Sequence, residues 1–386
     1  STQAKTLFPY TTLFRSPPPE QTPKDADTIL LLRSGGYSSK PKFAAFSHRQ
    51  LIHTGIATRA HHHLSPQDRF HTVLPWAIPF AFVHALLIPL MMGSTCIIDH
   101  GLQAVELLDF LTESRVSRIV GTPAFFLKFL MVCKNEKRVL PSFKSAIVGL
   151  GSLSPELKRA FDVLKVPVAH CYGQVENLWT IAMQDTQDPG ELPEGYVKGF
   201  MGKGLAGFKY KVVDAQGDEV AHDGRRVGQL ALSGPTMMLG YPDHDKATKQ
   251  ALRGTWLYTG DYVQLDGTGE TLTLTLVGRK EDLNENDLID PLNLDGIDSI
   301  IKRHAAVQDG ASFFIKNSLN EQVLMCAVVK APNTPLNEKQ FMEYLNAQGG
   351  SGLLPRIVAF TDEIPRDLGN NVNYLRLRAR FSGAAG

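Results

Sequence analysis

The stretch Gly254–Asp282, GTWLYTGDYVQLDGTGETLTLTLVGRKED, decides the fold of this chain. It predicts a β-hairpin with one strand over Tyr262–Leu265 and a turn at Asp266-Gly267. Thr271–Val277 then alternates Thr and Leu, which is typical of a half-buried strand. The order and spacing of these parts indicate an antiparallel pair.

The two ends of this hairpin carry opposite charges. Asp261 follows Thr259-Gly260 at the head, and Arg279 follows Gly278 at the tail. An antiparallel pair can bring both ends to the same side of a sheet. A carboxylate beside an arginine suits a ribose diol next to a phosphate, because arginine binds phosphate oxygens in a fork.

The TGD sequence, the hairpin and the GR-x-x-D sequence together resemble the adenylate-forming superfamily. That superfamily includes acyl- and aryl-CoA synthetases, nonribosomal peptide synthetase adenylation domains and luciferases. The resemblance implies that Asp261 holds the ribose hydroxyls of ATP and that Arg279 lies beside them. It also implies that Lys280 and Glu281 form a hinge to a small C-terminal domain.

A second segment indicates a phosphate-binding loop. The apolar strand Thr28–Leu32 opens into Arg33–Lys42, and a Ser/Gly/Lys loop between a strand and a helix favours anions. In the family this loop reads roughly TSGTTGxPKG. The positions that correspond to it are Ser34, Gly35, Pro41 and Lys42. Arg33, Tyr37 and Phe43 depart from it. The resemblance implies that Ser34, Gly35 and Lys42 bind the nucleotide.

A third segment resembles the family's YGxTE motif. The strand Val166–Cys171 ends in Tyr172-Gly173-Gln-Val-Glu176. The resemblance implies that Tyr172 stacks on adenine, with Gly173 in the nucleotide site. It implies that Glu176 is catalytic and holds Mg²⁺, and a carboxylate suits a hard cation. Val175 stands where the family has a threonine that contacts the α-phosphate.

The resemblance implies that small residues after another strand lie against the adenine. These are Gly149 and Gly151, in the turn of the stretch Ala146–Ser154. By resemblance, Trp76, Ile78 and Gly149 line the acyl pocket.

The helix that follows the predicted strand Val73–Trp76 would line the same pocket. Ile78 stands where relatives commonly carry a gating histidine. His84 lies deeper in this helix and is predicted to be a core histidine.

The alternation of strands and helices predicts an α/β fold with a mostly parallel sheet flanked by helices. We assign residues 28–195 to this part, which lacks the family's first subdomain. Residues 196–279 are predicted to form a small β-barrel-like subdomain, and residues 280–386 a separate α+β C-terminal domain after the hinge. Residues 1–27 are predicted to be a non-native, adapter-like and linker segment, because TLFPYTTLFRS resembles a translated sequencing adapter. The chain is therefore expected to be a fragment.

The last family motif, near PxxxxGKxxR, resembles the sequence that begins at Ile364-Pro365. Asn370 stands in place of the family's catalytic lysine, or Asn371 if the gap falls differently. A neutral amide there predicts weaker stabilisation of charge on the reacting phosphate.

Composition limits the class of partner. The formal net charge of +1 over 386 residues provides no field for nucleic acid or an anionic membrane. The 4 cysteines are scattered singly without a CxxC pair, which indicates a reduced, cytoplasmic protein. The longest apolar run, Ile78–Met92, is interrupted by Pro79 and Pro89, so we expect no integral membrane segment.

Three functions remain open from the sequence. The first is an ATP- and Mg²⁺-dependent ligase that activates a small-molecule carboxylic acid as an acyl-adenylate. It would transfer the acyl group to CoA or to the phosphopantetheine of an acyl carrier protein, with a role in fatty acid metabolism as one possibility. The second is a degenerate, weakly active or inactive AMP-binding scaffold. The third is a nonribosomal-peptide-type adenylation domain.

Overall fold

The computed structural model describes residues 27–34, 42–99, 101–102, 104–151, 153, 155–184, 199–279, 294–316, 322–348, 354–366 and 372–381. The strands, in chain order, are β1 (Leu30–Arg33), β2 (Phe43–Phe46), β3 (Arg69–Thr72), β4 (Thr95–Ile97), β5 (Arg118–Gly121), β6 (Ser145–Val148), β7 (Val168–Tyr172), β8 (Ala182–Gln184), β9 (Phe200–Gly204), β10 (Lys209–Val213), β11 (Glu219–Val220), β12 (Gly228–Ser233), β13 (Leu252–Arg253), β14 (Trp256–Asp266), β15 (Thr273–Arg279), β16 (Val307–Lys316), β17 (Gln322–Lys330) and β18 (Ile357–Phe360). The α-helices are α1 (His48–His62), α2 (Pro79–Ala81), α3 (Ile88–Met92), α4 (Ala104–Glu113), α5 (Pro123–Asn135), α6 (Pro155–Val163), α7 (Asp245–Ala251), α8 (Leu294–Arg303), α9 (Glu338–Gln348) and α10 (Tyr374–Phe381).

One mixed sheet of 13 strands organises the larger part of the molecule. Its order is β11-β10-β12-β14-β15-β9-β8-β7-β6-β5-β3-β4, with β13 paired to β14. The pairs from β4 to β7 are parallel, as the alternation of strands and helices predicted. From β7 onward every pair is antiparallel, beginning with β7 against β8.

The sheet as a whole is therefore mixed: the parallel arrangement predicted for residues 28–195 holds from β4 to β7, whereas the strands predicted to form a separate barrel-like subdomain extend the same sheet. The strands assigned to a barrel-like subdomain are hydrogen bonded in continuity with the parallel strands through β8 and β9. Parallel neighbours need a crossover connection of a dozen or more residues, whereas only residues 173–181 separate β7 from β8. The sequence did not reveal that β8 reverses beside β7 and joins the two halves.

The predicted hairpin lies at the centre of the antiparallel half. β14 and β15 pair with Asp261 opposite Arg279, and a bulge follows Tyr262. Val263, Leu265 and Leu274 are buried, and they belong to the largest hydrophobic core. The alternation of Thr and Leu thus places one face of the hairpin in that core.

The helix boundaries follow local sequence signals. At the start of α1 the side-chain oxygen of Gln50 accepts a hydrogen bond of 2.9 Å from the Ser47 amide. At the start of α5 the Thr122 hydroxyl accepts from the Phe125 amide at 3.2 Å, with Pro123 in the first helical position. The strand predicted at Val73–Trp76 was displaced. The observed β3 ends at Thr72, whose hydroxyl accepts from the Leu74 amide as the chain turns.

The apolar run that follows this turn is helical and locally widened. A π-helical turn, Phe82–Leu87, separates α2 from α3. Pro89 has no amide hydrogen, and its ring would crowd the carbonyl four residues earlier in a regular helix, so the wider turn relieves a clash. His84 lies on this turn with 1% of its surface exposed, which confirms it as a core histidine.

A separate three-stranded sheet, β16-β17-β18, forms the C-terminal part. β16 and β17 are antiparallel, and β17 and β18 are parallel. Two cores of its own cover its faces, one with α8 and α9 and the other with α10. The predicted α+β arrangement of these elements is confirmed. The domain limits stay a prediction.

Candidate active site

The phenol of Tyr172 and the carboxylate of Asp261 form the centre of the candidate site. The Tyr172 hydroxyl donates a hydrogen bond of 2.6 Å to Oδ2 of Asp261. Both side chains are buried. Burial, together with the adjacent Asp261 charge and hydrogen bond, raises the pKa of Tyr172 well above its usual value. The phenol therefore stays protonated and acts as the donor.

Two further side chains hold Asp261. Nε2 of Gln174 donates to Oδ2 of Asp261 at 2.8 Å and to the carbonyl oxygen of Thr259 at 2.9 Å. Nε of Arg279 lies 3.3 Å from Oδ1 of Asp261. Charge-assisted hydrogen bonds of this kind fix a carboxylate in position. Asp261 is thus oriented by side chains from β7, from the turn after it and from β15.

Glu176 lies in the 3-10 turn Val175–Asn177 that follows β7. The Tyr241 hydroxyl donates a hydrogen bond of 2.7 Å to Oε1 of Glu176. The Glu176 carbonyl accepts from the Met238 amide at 2.8 Å. Burial and the neighbouring Glu176 charge raise the pKa of Tyr241, so its hydroxyl also remains a donor.

Glu176 suits a magnesium ion that is shared with phosphates. Mg²⁺ is usually held by one or two carboxylates together with substrate oxygens and water. Glu176 is half-buried, and the Tyr241 bond fixes one of its oxygens. In the part of the chain that the structure describes, no group of three or more His, Cys, Asp or Glu side chains could hold a metal by itself. A single carboxylate such as that of Glu176 has the chemistry of a Mg²⁺ ligand that phosphate oxygens and water complete.

The structure describes the two ends of the predicted phosphate-binding loop. The Ser34 amide donates to the Lys42 carbonyl at 2.7 Å, and the Lys42 amide donates to the Ser34 hydroxyl at 3.2 Å. Nζ of Lys42 lies 5.4 Å from the centre of the Tyr241 ring. Tyr241 therefore interacts with Lys42 through its ring and with Glu176 through its hydroxyl. Gly35 lies outside the described residues.

A groove of about 710 Å³ opens beside the TGD turn. Its lining includes Lys42, Gln229, Tyr241, Tyr258, Thr259 and Gly260. This volume is within the usual range for small-molecule sites. The groove adjoins the turn before Asp261, which places space for a ligand next to the hydrogen-bonded carboxylate.

The predicted small-residue positions lie at close packing contacts. Leu150, between Gly149 and Gly151, has a left-handed φ of 62°. The Gly151 carbonyl is 2.9 Å from Nε2 of His170. A Cβ on Gly173 would overlap the Trp179 backbone and lie 2.9 Å from the Thr180 amide nitrogen. Gly173 is thus required for a close approach of two backbone segments.

The predicted acyl-pocket residues start the helical segment after β3. Trp76 is half-buried, and Ile78 is 6% exposed. Gly149 is in contact with the ring of Phe80, two residues after Ile78. The predicted hinge residues Lys280 and Glu281 and the predicted catalytic position Asn370 lie outside the described residues.

Sequence reasoning missed several residues of this site. Gln174 occupies the variable position of its motif, so nothing marked it as a partner of Asp261. Tyr241 follows Gly240 outside the segments that the sequence assigned to the site. Thr259 is part of the TGD sequence, and its hydroxyl accepts from the Asp261 amide at 3.1 Å. Of these, only the threonine could have been found from the motif alone.

The family model described as AMP-binding enzyme matches residues 2–242. The chain belongs to the AMP-binding enzyme family. The match includes the segment predicted to be adapter-like, which itself lies almost wholly outside the described residues.

The curated relatives are acid–CoA ligases. The chain is 22% identical to the peroxisomal trans-cinnamate:CoA ligase of Petunia hybrida, over 97% of this chain and 67% of the relative. It is 22% identical to a medium-chain fatty-acid–CoA ligase of Escherichia coli K12, over 90% of this chain and 60% of the relative. The chain thus spans about two thirds of the length of these relatives.

Solved structures share the fold. ATP-bound MatB from Rhodopseudomonas palustris matches with a TM-score of 0.80 and 22% identity, over 94% of this chain and 70% of that chain. The o-succinylbenzoate CoA synthetase MenE from Bacillus subtilis, in complex with ATP and magnesium ion, matches with a TM-score of 0.77 and 19% identity, over 92% of this chain and 70% of that chain.

Among the described residues, none of the helices has both the length and the apolar character needed to cross a membrane.

Proposed function

We propose that the protein activates a carboxylic acid with ATP and transfers the acyl group to a thiol. A carboxylate oxygen of the acid attacks the α-phosphorus, the bond to the β-phosphate breaks, and pyrophosphate leaves. A thiol sulfur then attacks the acyl carbon and AMP leaves. The acceptor is CoA, which the names of the similar acid–CoA ligases give, or a carrier-protein phosphopantetheine.

The observation that carries this proposal is the convergence on Asp261. Tyr172 and Gln174, which precede Asp261 by 89 and 87 residues, contact this carboxylate together with Arg279 from the opposite strand of the hairpin. An oriented, buried carboxylate next to an arginine is suited to accept hydrogen bonds from two ribose hydroxyls. The groove beside Thr259 and Gly260 is the space that we assign to the nucleotide.

In the proposed site each residue has a defined task. Asp261 would exchange its present hydrogen bonds for the ribose hydroxyls, and the ring of Tyr172 would lie against the adenine. Lys42 would lie near the terminal phosphates. Glu176, oriented by Tyr241, would hold Mg²⁺, which lowers the charge repulsion at the phosphates when bound.

The domain organisation is part of the proposal. We assign residues 28–279 to the AMP-binding part and residues 280–386 to a C-terminal domain that moves about Lys280 and Glu281. The separate cores of the C-terminal sheet support this division. Closure of one domain over the other would exclude water from the adenylate.

A weakly active or inactive scaffold is the second candidate. Val175 stands where relatives place a threonine, and its side chain is 6% exposed, within the largest core. The predicted lysine position is Asn370. Both differences remove groups that contact or stabilise phosphate. Such a scaffold would still bind the nucleotide but would catalyse adenylation weakly or not at all.

ATP–pyrophosphate exchange on the protein with a panel of carboxylic acids tests the proposal. Exchange that depends on one acid supports the ligase. ATP binding measured by calorimetry without exchange for any acid supports the scaffold. Absence of both exchange and ATP binding would contradict the nucleotide site itself.

A further inference from the structure

The space next to Gly149 is filled by an aromatic ring. A Cβ added at Gly149 would lie 2.6 Å from Cε2 and 2.9 Å from Cε1 of Phe80 and would collide with Cζ. The Phe80 ring has no exposed surface. The ring therefore lies directly on the glycine, at the place where the resemblance implies an acyl pocket.

Two other rings hold Phe80 in this position. The centre of the Trp179 ring lies 5.7 Å from that of Phe80 in an edge-on arrangement, and His84 lies 4.8 Å away on the next turn. Such aromatic pairs stabilise each other beyond the burial of their area. The three rings form a packed cluster, which we call the aromatic plug: Phe80, His84 and Trp179.

The backbone around the plug is also fixed. Leu178 and Trp179 both have a left-handed φ of 56°, and the Trp179 backbone lies against Gly173. Phe80 follows Pro79 and precedes the π-helical turn. In a close-packed core, a large ring held on all sides has little room to rotate away.

The plug adjoins the proposed nucleotide site. Phe80, Trp179 and Tyr172 belong to the same hydrophobic core. Gly173, against which Trp179 packs, directly follows Tyr172. An acyl chain that extended from the α-phosphate past Gly149 would therefore meet the Phe80 ring.

We infer that the aromatic plug closes the acyl pocket a short distance from the reacting carboxylate, so that the protein selects short carboxylic acids over long-chain acids. This inference rests on the proposed function. Phe80 is the specificity-determining residue, and Trp179 and His84 are positioning residues that hold it.

Calorimetry with acyl-sulfamoyl adenosines tests this inference. These stable analogues of the acyl-adenylate would carry an acetyl, a butanoyl or an octanoyl group, and their binding does not require catalysis. The wild-type protein is expected to bind the acetyl and butanoyl analogues about tenfold or more tightly than the octanoyl analogue. Equal or tighter binding of the octanoyl analogue would overturn the inference.

Phe80→Ala is expected to reverse this order, because an engineered apolar cavity accepts apolar ligands. Binding of the octanoyl analogue should strengthen by about tenfold or more, while binding of the acetyl analogue changes little. Phe126→Ala removes an equally buried ring from the second core and is the matched control, with no expected change in the order. Phe80→Leu gives a smaller cavity for use if the alanine variant does not fold.

The outcomes separate the two proposals. Binding of all three analogues with an unchanged order in a folded Phe80 variant would refute the plug and leave the proposed function in place. Failure of the wild-type protein to bind ATP and every analogue would refute the proposed function, and the plug with it.

Discussion

Tyr172 and Asp261 are 89 residues apart in the sequence, and a hydrogen bond of 2.6 Å joins them. Their strands, β7 and β14, are four positions apart in the sheet. In a flat sheet the strands would be separated by about 19 Å, at roughly 4.8 Å per step. The antiparallel half therefore curls back toward β7, and the candidate site lies where the two meet.

Two substitutions should separate the stabilising role of the Tyr172 hydroxyl from the proposed stacking of its ring on adenine. Tyr172→Phe should lower the free energy of unfolding by about 1.5–3 kcal/mol, because a buried donor to a charged group is lost. Its ring remains, so ATP affinity should fall only slightly. Tyr172→Ala should weaken ATP binding by a further tenfold to about a hundredfold through loss of stacking. Urea unfolding and calorimetry check both effects.

Tyr344→Phe is the control for these variants. The Tyr344 hydroxyl donates to the Ile300 carbonyl in the C-terminal part, so its loss should leave ATP affinity unchanged. Equal ATP affinities for Tyr172→Ala and the wild-type protein would contradict the stacking role.

The charge of Asp261 should determine nucleotide affinity. Asp261→Asn keeps the shape but replaces charge-assisted hydrogen bonds to ribose with weaker neutral ones. We expect ATP affinity to fall by about tenfold to a hundredfold. Asp266→Asn, at the exposed end of the same strand, is the control. If both variants bind ATP as the wild type does, Asp261 is not the ribose ligand.

Tyr241 should control the magnesium requirement of nucleotide binding. Tyr241→Phe removes the hydroxyl that orients Glu176, and partners of this kind usually contribute about 10–100-fold to metal affinity. The Mg²⁺ concentration needed for half-maximal ATP binding should rise accordingly. A calorimetric series at increasing Mg²⁺ checks this, and superimposable curves for both proteins would refute it.

His84 should make the protein sensitive to acid. Burial lowers the pKa of His84 from 6.5 to about 3, opposed by the Leu178 backbone. As pH falls, His84 is therefore protonated in the unfolded chain at a higher pH than in the folded protein. The contribution of neutral His84 to the free energy of unfolding is fully present above about pH 6.5. It is lost as pH falls toward 3, by at most about 1.4 kcal/mol per pH unit.

His84→Leu should reduce the slope of unfolding free energy against pH in this window. Urea unfolding at several pH values measures the slope. His48→Gln, at an exposed position, should leave it unchanged. An unaltered slope in the His84 variant would show that another group causes the acid sensitivity.

The Asn370 position should limit catalysis. Asn370→Lys is expected to raise the rate of adenylation by about 10²–10³-fold, since a cation would then meet charge developing at the phosphate. ATP–pyrophosphate exchange is the measurement. No increase would indicate that the absence of lysine here is compensated or irrelevant.

Several features were determined by the sequence alone. The hairpin of β14 and β15 follows from the alternation of Thr and Leu and from the Asp266-Gly267 turn, because these signals act between neighbouring residues. The caps at Ser47 and Thr122 are local for the same reason. The parallel strands β3 to β7 also follow from a local alternation of elements.

Only the tertiary structure decided which residues meet at the site. The contacts of Asp261 with Tyr172 and Gln174 depend on the curl of a sheet whose order is not the order of the chain. The packing of Phe80 on Gly149 joins two segments about 70 residues apart through side-chain volume, which no local pattern records. Short-range signals specify strands and turns, whereas a binding site arises from long-range packing that becomes defined only when the whole core has formed.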